Sequence, residues 1–457
     1  MTDLHALLAD VTGPGHVLAQ GPELADYGHD ETLSVTPGEP AFVVRPGSTA
    51  EVGAVLRIAA AHGLAVTARG SGTGLSGAAI PRRGALVVSF ERMNRVLEID
   101  VANHVAVVQP GVTLGGLDAA AAEHGLVYPV FPGEMSASLG GTISTNAGGM
   151  RAVKYGVTRR HVLGLEAVLA SGQVIRTGGK QVKISSGYDL TQLITGSEGT
   201  LALVTEATVR LYPRLPCQAT LLAPFSSLAE VTAAVPRILA SGAGPMILEY
   251  VDMLTMAAIT QGEDMDLGVP AAVRDSAQAY LVVVQEQRSE ERLEADVAEL
   301  AELLAQAGAA DVYVLPAASA HRLIEAREKA FWAAKRAGAD DIVDAVVPRA
   351  EMAAFLAEVG EIASRHGRLV IGCGHAGDGN VHLALFEPER AARKRIMREI
   401  LAAAQAGGGA VSGEHGIGTA KAGYFLELAD PVSVSLMRRI KAAFDPEGIL
   451  NPGVLFG

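Results

Sequence analysis

The sequence predicts an α+β protein of two or three domains, and three observations carry that reading. With 457 residues and 49% hydrophobic content, the chain can fill more than one core. Residues 41–70 read strand, turn, helix, strand, and more short strands separated by glycine turns follow as far as Pro213. From Cys217 the composition shifts to amphipathic helices alternating with strand-like runs, which fits a second, covering layer of strands and helices.

Residues 1–34 read as an N-terminal helical segment. Phe42–Val44 is then a β-rich run ended by Pro46. Val52, Val55, Leu56 and Ala59 recur at helical spacing, and Leu64 to Ala68 alternates into a strand. "ALVVSF", "HVAVVQP" and "EAVLASG" add strands, and "LALVTEATVRLYP" closes a unit spanning 35–216. Over 217–410, "LAEVTAAVPRILASG", "ERLEADVAELAELLAQAG" and "ERAARKRIMREILAAAQAGGG" read as helices, with strands at "AYLVVVQEQ", "DVYVLP" and "RLVIGCGH". The segment 411–457 ends in "AFDPEGILNPGVLFG", read as a helix end, a turn and a short extended tail. There is no internal repeat and no low-complexity stretch.

Composition excludes several function classes. No apolar run reaches the ~18–20 residues of a membrane span, and the start "MTDLHALLADVTGPGH" has early acids and lacks the basic region of a secretory signal, so a cytoplasmic location is expected. Two cysteines, Cys217 and Cys373, are too few for a disulfide framework or an iron–sulfur cluster. Redox chemistry would therefore need an organic cofactor or a metal held by histidine and carboxylate. A net charge of −13 and 4% aromatic content argue against a nucleic-acid partner.

"RGSGTGLSG" matches a dinucleotide fingerprint at Gly72, Gly74 and Gly77, but "AAIPRRG" follows where that motif requires a helix. Its run of small residues still exposes backbone N–H groups suited to a pyrophosphate. Two further loops, "FPGEMSASLGGTISTNAGGMRAVKYG" and "GSEGTLALVTEATVRL", combine glycines with Ser, Thr and Asn. Three such loops in one unit point to a bound ligand rather than to turns alone.

In this order, "RPGSTAEV", "RGSGTGLSG", "PGEMSASLGGTISTNAGG", "GSEGTLALVTEATVRLYP", "HAGDGNVH", "GEHGIG" and "DPEGILNPG" resemble the vanillyl-alcohol-oxidase-type flavoproteins, in their D-2-hydroxy-acid dehydrogenase branch. That branch includes the FAD subunit of glycolate oxidase, D-lactate dehydrogenases and D-2-hydroxyglutarate dehydrogenases. The resemblance spans Tyr27 to Phe456. It implies a two-subdomain FAD-binding domain of the PCMH type, an α+β cap domain, and a C-terminal segment returning to the flavin. The implied FAD contacts are Arg69, Gly70, Ser71, Gly72, Thr73, Gly74 and Gly77, with Arg45 and Pro46 on the preceding strand edge. Ser138, Gly141, Thr142, Asn146, Gly148, Glu198, Gly199, Thr200 and Asn451 complete the set. The loop at 69–77 lacks the histidine of relatives with covalent flavin, so FAD is expected to bind noncovalently.

His375 and His382 lie seven residues apart, a separation that points them to opposite faces of a single strand. A turn through Asp378, Gly379 and Asn380 would bring them to one side. On the residues alone, a hairpin with incidental histidines and a cation site both remain open, as does a solvated acidic loop at Glu414 and His415. The resemblance implies that His375, His382 and Glu414 bind a divalent metal, zinc or manganese, and that His415 is the catalytic base. It aligns Arg327, four residues before Phe331, with the arginine that binds the substrate carboxylate. Basic neighbours Lys329, Lys335 and Arg336 read as solvated surface.

These roles fit a dehydrogenase that oxidises a small (D-)2-hydroxy acid to the 2-oxo acid by hydride transfer to flavin N5. Phe331 and Ile342 favour glycolate or D-lactate, because an apolar wall does not solvate a second carboxylate. D-2-hydroxyglutarate oxidation is the runner-up. A noncatalytic FAD-binding subunit of a glycolate oxidase complex would not need the full set of four residues, and a hydrolytic metalloenzyme would leave the glycine loops unexplained. An ether-lipid synthase of the same fold is histidine-rich where this chain has "GEHGIG". Electrons must pass to an external acceptor, a partner protein, quinone or cytochrome, and a homodimer or multi-subunit complex is compatible.

Overall fold

β-Branched runs between residues 17 and 89 build the first sheet of the computed structural model, which describes residues 2–261 and 265–456. Its strands are β1 (Val17–Leu18), β2 (Phe42–Val44), β3 (Val66–Arg69) and β4 (Leu86–Ser89), in the order β1-β2-β4-β3. β2, β4 and β3 run parallel, and β1 pairs antiparallel on β2. The helix Thr49–Ala61 between β2 and β3 starts where Ser48 Oγ accepts from Glu51 N at 3.3 Å. It buries Val52, Val55, Leu56 and Ala59 completely, the residues its spacing selects. After β3 the chain turns through residues 70–84 with no helix, as Pro81 dictates.

The next strands are β5 (Val96–Asp100), β6 (Val105–Val108), β7 (Leu126–Val127), β8 (Val162–Val168), β9 (Val174–Gly178), β10 (Leu203–Arg210) and β11 (Tyr212–Pro213). Five form an antiparallel sheet in the order β5-β6-β10-β8-β9, while β7 and β11 pair as a ribbon. β8 begins earlier than "EAVLASG" suggests, at Val162.

A third sheet is drawn entirely from residues after 216. It comprises β12 (Cys217–Phe225), β13 (Ile247–Asp252), β14 (Ala279–Gln287), β15 (Tyr313–Val314), β16 (Asp341–Val346), β17 (Leu369–His375) and β18 (Asn380–Phe386). All pairings are antiparallel, in the order β15-β12-β14-β13-β17-β18-β16. Tyr250, Leu281, Val343 and Leu383 on one face share a core with the helices Leu228–Ser241, Met352–His366 and Arg390–Ala406. Val251, Val282 and Cys373 on the other pack with Met256 and Ile259 of Met253–Gln261 and Leu323 of Ala317–Glu328.

The C-terminal tail departs from the extended form expected of it. Leu450 makes one parallel bridge to Val66, and the chain then coils in turns, with Asn451, Gly453 and Leu455 at φ of 42°, 94° and 65°. Among the described residues no helix is long and apolar enough to cross a membrane.

His161 offers a test of this packing. It is fully buried, with ring centroids 6.1 Å from Tyr128 and 5.7 Å from Tyr212, and burial pushes its imidazole down to about 4. Between that value and the ordinary ~6.5 the unfolded chain binds more protons. The stability it contributes, about 3 kcal/mol, is therefore complete above pH ~6.5 and lost as pH falls toward 4. Denaturant titrations across this window should show a smaller loss in His161→Leu; an unchanged loss would contradict the assignment.

Candidate active site

Four adjacent strands, β13, β17, β18 and β16, bring two carboxylates and two histidines to one face of the third sheet. Glu249 stands opposite His375, and His382 stands opposite both Cys373 and Asp344. The hairpin at residues 376–379 supplies the fold-back: Gly379, at φ 85°, donates its N–H to His375 O at 3.0 Å. The two imidazoles consequently lie with centroids 4.8 Å apart. Asp378 Oδ1 accepts from Asn380 N at 3.4 Å, and Asn380 Nδ2 donates to Asp344 Oδ1 at 3.0 Å, so both residues serve the scaffold.

Glu414 reaches this pair from the loop after the helix Arg390–Ala406. Its Oε1 lies 3.0 Å from His375 Nε2 and 3.1 Å from His382 Nε2, and the two Nε2 atoms are 3.1 Å apart. Glu414 Oε2 is buried without a hydrogen-bond partner. Two imidazole nitrogens converging on Glu414 Oε1, with Oε2 of the same carboxylate left unsatisfied, fit a divalent cation. Behind them, Glu249 Oε1 lies 2.5 Å from His375 Nδ1, the carboxylate–histidine arrangement that orients a metal ligand. Burial opposes protonation of His375, but Glu249 and Glu414 outweigh it and hold its pKa well above the usual range.

Glu249, with 0% exposure, also faces Arg327, whose Nη2 lies 2.5 Å from Glu249 Oε2, off the line of a hydrogen bond. Arg327 is itself 6% exposed, and its buried Nε and Nη2 donate no hydrogen bond. Nη2 is held in the ion pair with Glu249, which leaves Nε, next to the histidine pair, as a donor suited to a carboxylate ligand.

His415 stacks on His382 at 4.9 Å and 18°, with Nδ1 3.8 Å from Asp344 Oδ2. Burial pushes His415 down to about 4; Asp344 opposes this, while His382 and Lys421 add to it. Asp344 is fully buried and saturated: Oδ2 accepts from Lys421 Nζ at 2.9 Å, Ser412 Oγ at 2.6 Å and His415 N at 3.0 Å. Despite burial, His415, Lys421 and His382 around it hold its pKa well below the carboxylate range. A bound lysine argues against Asp344, His382 and His415 as a second cation site. The loop is tied to the first unit by Ser76 Oγ, which donates to His415 O at 2.7 Å, and by Glu198, which accepts from Ile417 N at 2.8 Å and Gly418 N at 2.7 Å.

Two cavities meet here. The first, about 1230 Å³ including its mouth, is lined by Arg69, Gly70, Ser71, Gly72, Thr73, Gly74, Ser138, Gly141, Thr142, Glu198, Gly199 and Asn451. The second, about 930 Å³ including its mouth, lies between the third sheet and the helices Met253–Gln261 and Ala330–Arg336 and is lined by Arg327, Phe331, Ile342, His375 and His382. Glu414 and His415 line both.

Several expected cofactor residues stand elsewhere. Arg45 Nη2 donates to Gly15 O at 2.8 Å, and Pro46 also lies away from the cavity, because the Pro14–His16 turn caps this end of β2. Gly77 is turned toward Thr419. Asn146 ends a helix in a left-handed conformation and accepts from Arg159 N at 2.9 Å. Thr200 Oγ1 donates to Ser197 O at 2.7 Å. Gly148 borders Glu414 instead: a Cβ there would stand 2.6 Å from Glu414 Oε2. Even among residues lining the cavity, the Arg69 guanidinium is engaged by the carbonyls of His29 and Asp26, at 2.5 and 2.9 Å, and Asn451 Nδ2 by those of Ala78 and Glu198, at 2.9 and 2.7 Å.

The sequence reading missed Glu249, Asp344, Lys421 and Ser76. One signal was present: besides an acid at one end, each of the apolar strands "ILEYVD" and "DIVDAV" has a carboxylate in its middle, where a charge is buried only when paired.

Comparison with known proteins agrees with this architecture. Residues 40–178 match the family described as FAD binding domain, and residues 216–455 match FAD linked oxidases, C-terminal domain. An uncharacterized FAD-linked oxidoreductase of Mycobacterium tuberculosis is 56% identical over 100% of both chains. A D-lactate dehydrogenase of Archaeoglobus fulgidus is 40% identical over 93% of this chain and 94% of its own. Among solved structures, p-cresol methylhydroxylase with substrate bound superposes with a TM-score of 0.80 at 18% identity, covering 99% of this chain and 96% of its own.

The Asp344–Lys421 pair should be essential to the loop. Asp344→Asn leaves a buried ammonium uncompensated, and chemical denaturation should show a loss of about 3–5 kcal/mol. Adding Lys421→Met should recover part of it; no recovery would show that the pair is not the cause.

Proposed function

The chain belongs to the FAD-linked oxidases, in their hydroxy-acid dehydrogenase branch, and we propose that it oxidises a (D-)2-hydroxy monocarboxylate to the 2-oxo acid with the help of a divalent cation. Glycolate and D-lactate are the simplest such substrates. The observation that carries this reading is that Glu414 and His415 line both cavities. Cation donors and a base thus stand where the flavin's cavity opens onto the one holding Arg327.

When bound, FAD supplies the acceptor for the C2 hydrogen as hydride, and zinc or manganese supplies Lewis-acid polarisation of the substrate hydroxyl. FAD would be held by the backbone of Gly70–Gly74 and by Ser138, Gly141 and Thr142; the cation would be held by His375, His382 and Glu414. Gly72 sits at φ 75°, a conformation that favours glycine. Noncovalent binding is supported by the cavity wall, where His415 is the only histidine and no cysteine occurs among the described residues.

Arg327, anchored on Glu249, binds the substrate carboxylate through its remaining guanidinium donors and fixes the hydroxyl end toward the histidines. His415, neutral because burial depresses its pKa, takes the hydroxyl proton. Asp344, 3.8 Å behind it, stabilises the imidazolium that results. The cap excludes water from this junction. Ile342 and Phe331 lie in the wall of the second cavity, which disfavours the second carboxylate of hydroxyglutarate. Both cysteines are buried and unpaired, so electrons leave through an external acceptor, a partner protein, quinone or cytochrome.

His415→Ala should keep its flavin spectrum, release that flavin on acid precipitation, and lose substrate-dependent bleaching under anaerobic conditions by about 10²-fold or more. Bleaching at the unaltered rate would remove His415 from the mechanism.

A further inference from the structure

The face of the third sheet that carries the histidines changes character along its strands. Beyond the row containing Asp344, His382 and Cys373, the next row in register is Ile342, Ala384 and Ile371, and Phe386 follows on β18. Strand geometry places His382 and Phe386 about 13 Å apart. The polar donors therefore occupy one end of a long apolar floor.

Helices roof this floor without filling it. Ile259 of Met253–Gln261 and Phe331 and Ala334 of Ala330–Arg336 line the same cavity. Alanines at 330, 333 and 334 keep the second helix surface low. Ile342, Ile371, Phe331 and Phe386 stay partly exposed although they lie between sheet and helices, because they face the cavity. The space here is about 140 Å³, similar to the apolar void that holds a benzene ring; close-packed interiors retain few voids of that size, so it suits an apolar ligand group. Lactate's methyl group would leave most of it unfilled. Apart from Arg327 and the cluster of His375, His382, Glu414 and His415 at one end, the polar side chains in its wall are Thr255 and Glu328, and neither supplies a cation for another carboxylate.

We propose that this cavity receives an extended apolar substituent on C2, so that the preferred substrates are 2-hydroxy acids with long aliphatic or aromatic side chains rather than glycolate or lactate. The inference rests on the 2-hydroxy-acid reading: Arg327 and the cation donors hold the polar head, and the substituent runs along Ile371, Ala384 and Phe386.

Anaerobic flavin reduction in the holoenzyme tests it across glycolate, D-lactate, D-2-hydroxybutyrate, D-2-hydroxyhexanoate, D-2-hydroxyoctanoate and D-phenyllactate. The rate constant per unit concentration should rise about fourfold per added methylene until the cavity is full. Ala334→Phe, chosen to occupy the cavity, should lower the hexanoate-to-lactate ratio about tenfold while the flavin spectrum reports a folded protein. A series that is flat or falls beyond lactate overturns the proposal and leaves the 2-hydroxy-acid reading standing. If no acid of any length bleaches the flavin, both are overturned.

Discussion

Two carboxylates with no solvent exposure, Glu249 and Asp344, are the constraint on which the site depends. A buried charge is tolerated only when its partners are fixed, so each carboxylate dictates what stands around it. Glu249 faces both Arg327 and His375, joining the group suited to a carboxylate ligand to one of the candidate cation donors. Asp344 takes Lys421, Ser412 and the backbone of the 414–415 segment, which sets where Glu414 and His415 project. Because the two sit on β13 and β16, with β17 and β18 between them, the histidine pair is enclosed from both sides.

The same logic explains how two sequence-distant units share one centre. The loop of residues 412–418 belongs to neither sheet, yet Ser76 and Glu198 hold its backbone against the flavin-binding unit while Asp344 holds it against the cap. Asn451 adds the C-terminal tail through the carbonyls of Ala78 and Glu198. Glu198 shows the cost of this assembly: burial pushes its carboxyl up to about 7 even though two backbone amides favour the charged form.

The sequence was most legible where backbone shape and side-chain period carry the information. Glycine loops announced a ligand cavity, and the helix at Thr49–Ala61 followed from four apolar positions. Central strands such as β12, β13 and β18 were harder, since burial of both faces removes the alternation that marks a strand. Motif positions also mark where the backbone bends rather than where a side chain points. That is why Asn146 and Thr200 secure their own turns instead of lining the cavity. Glu249 and Asp344 needed the strand register before they could be paired with His375 and His382. The breadth of the second cavity was invisible for a related reason: Phe331 and Ile342 indicate an apolar wall, but only the sheet-to-helix separation shows how far it extends.

The central claim is that His375, His382 and Glu414 form one cation site at the junction of the two cavities. Anomalous X-ray scattering from crystals of the manganese-loaded protein tests it most directly. The account predicts a single peak about 2.0–2.3 Å from both Nε2 atoms and the Glu414 carboxylate, absent in Glu414→Gln. A peak beside Asp344 and His415 instead, or none in a crystal that has bound its FAD, would contradict it.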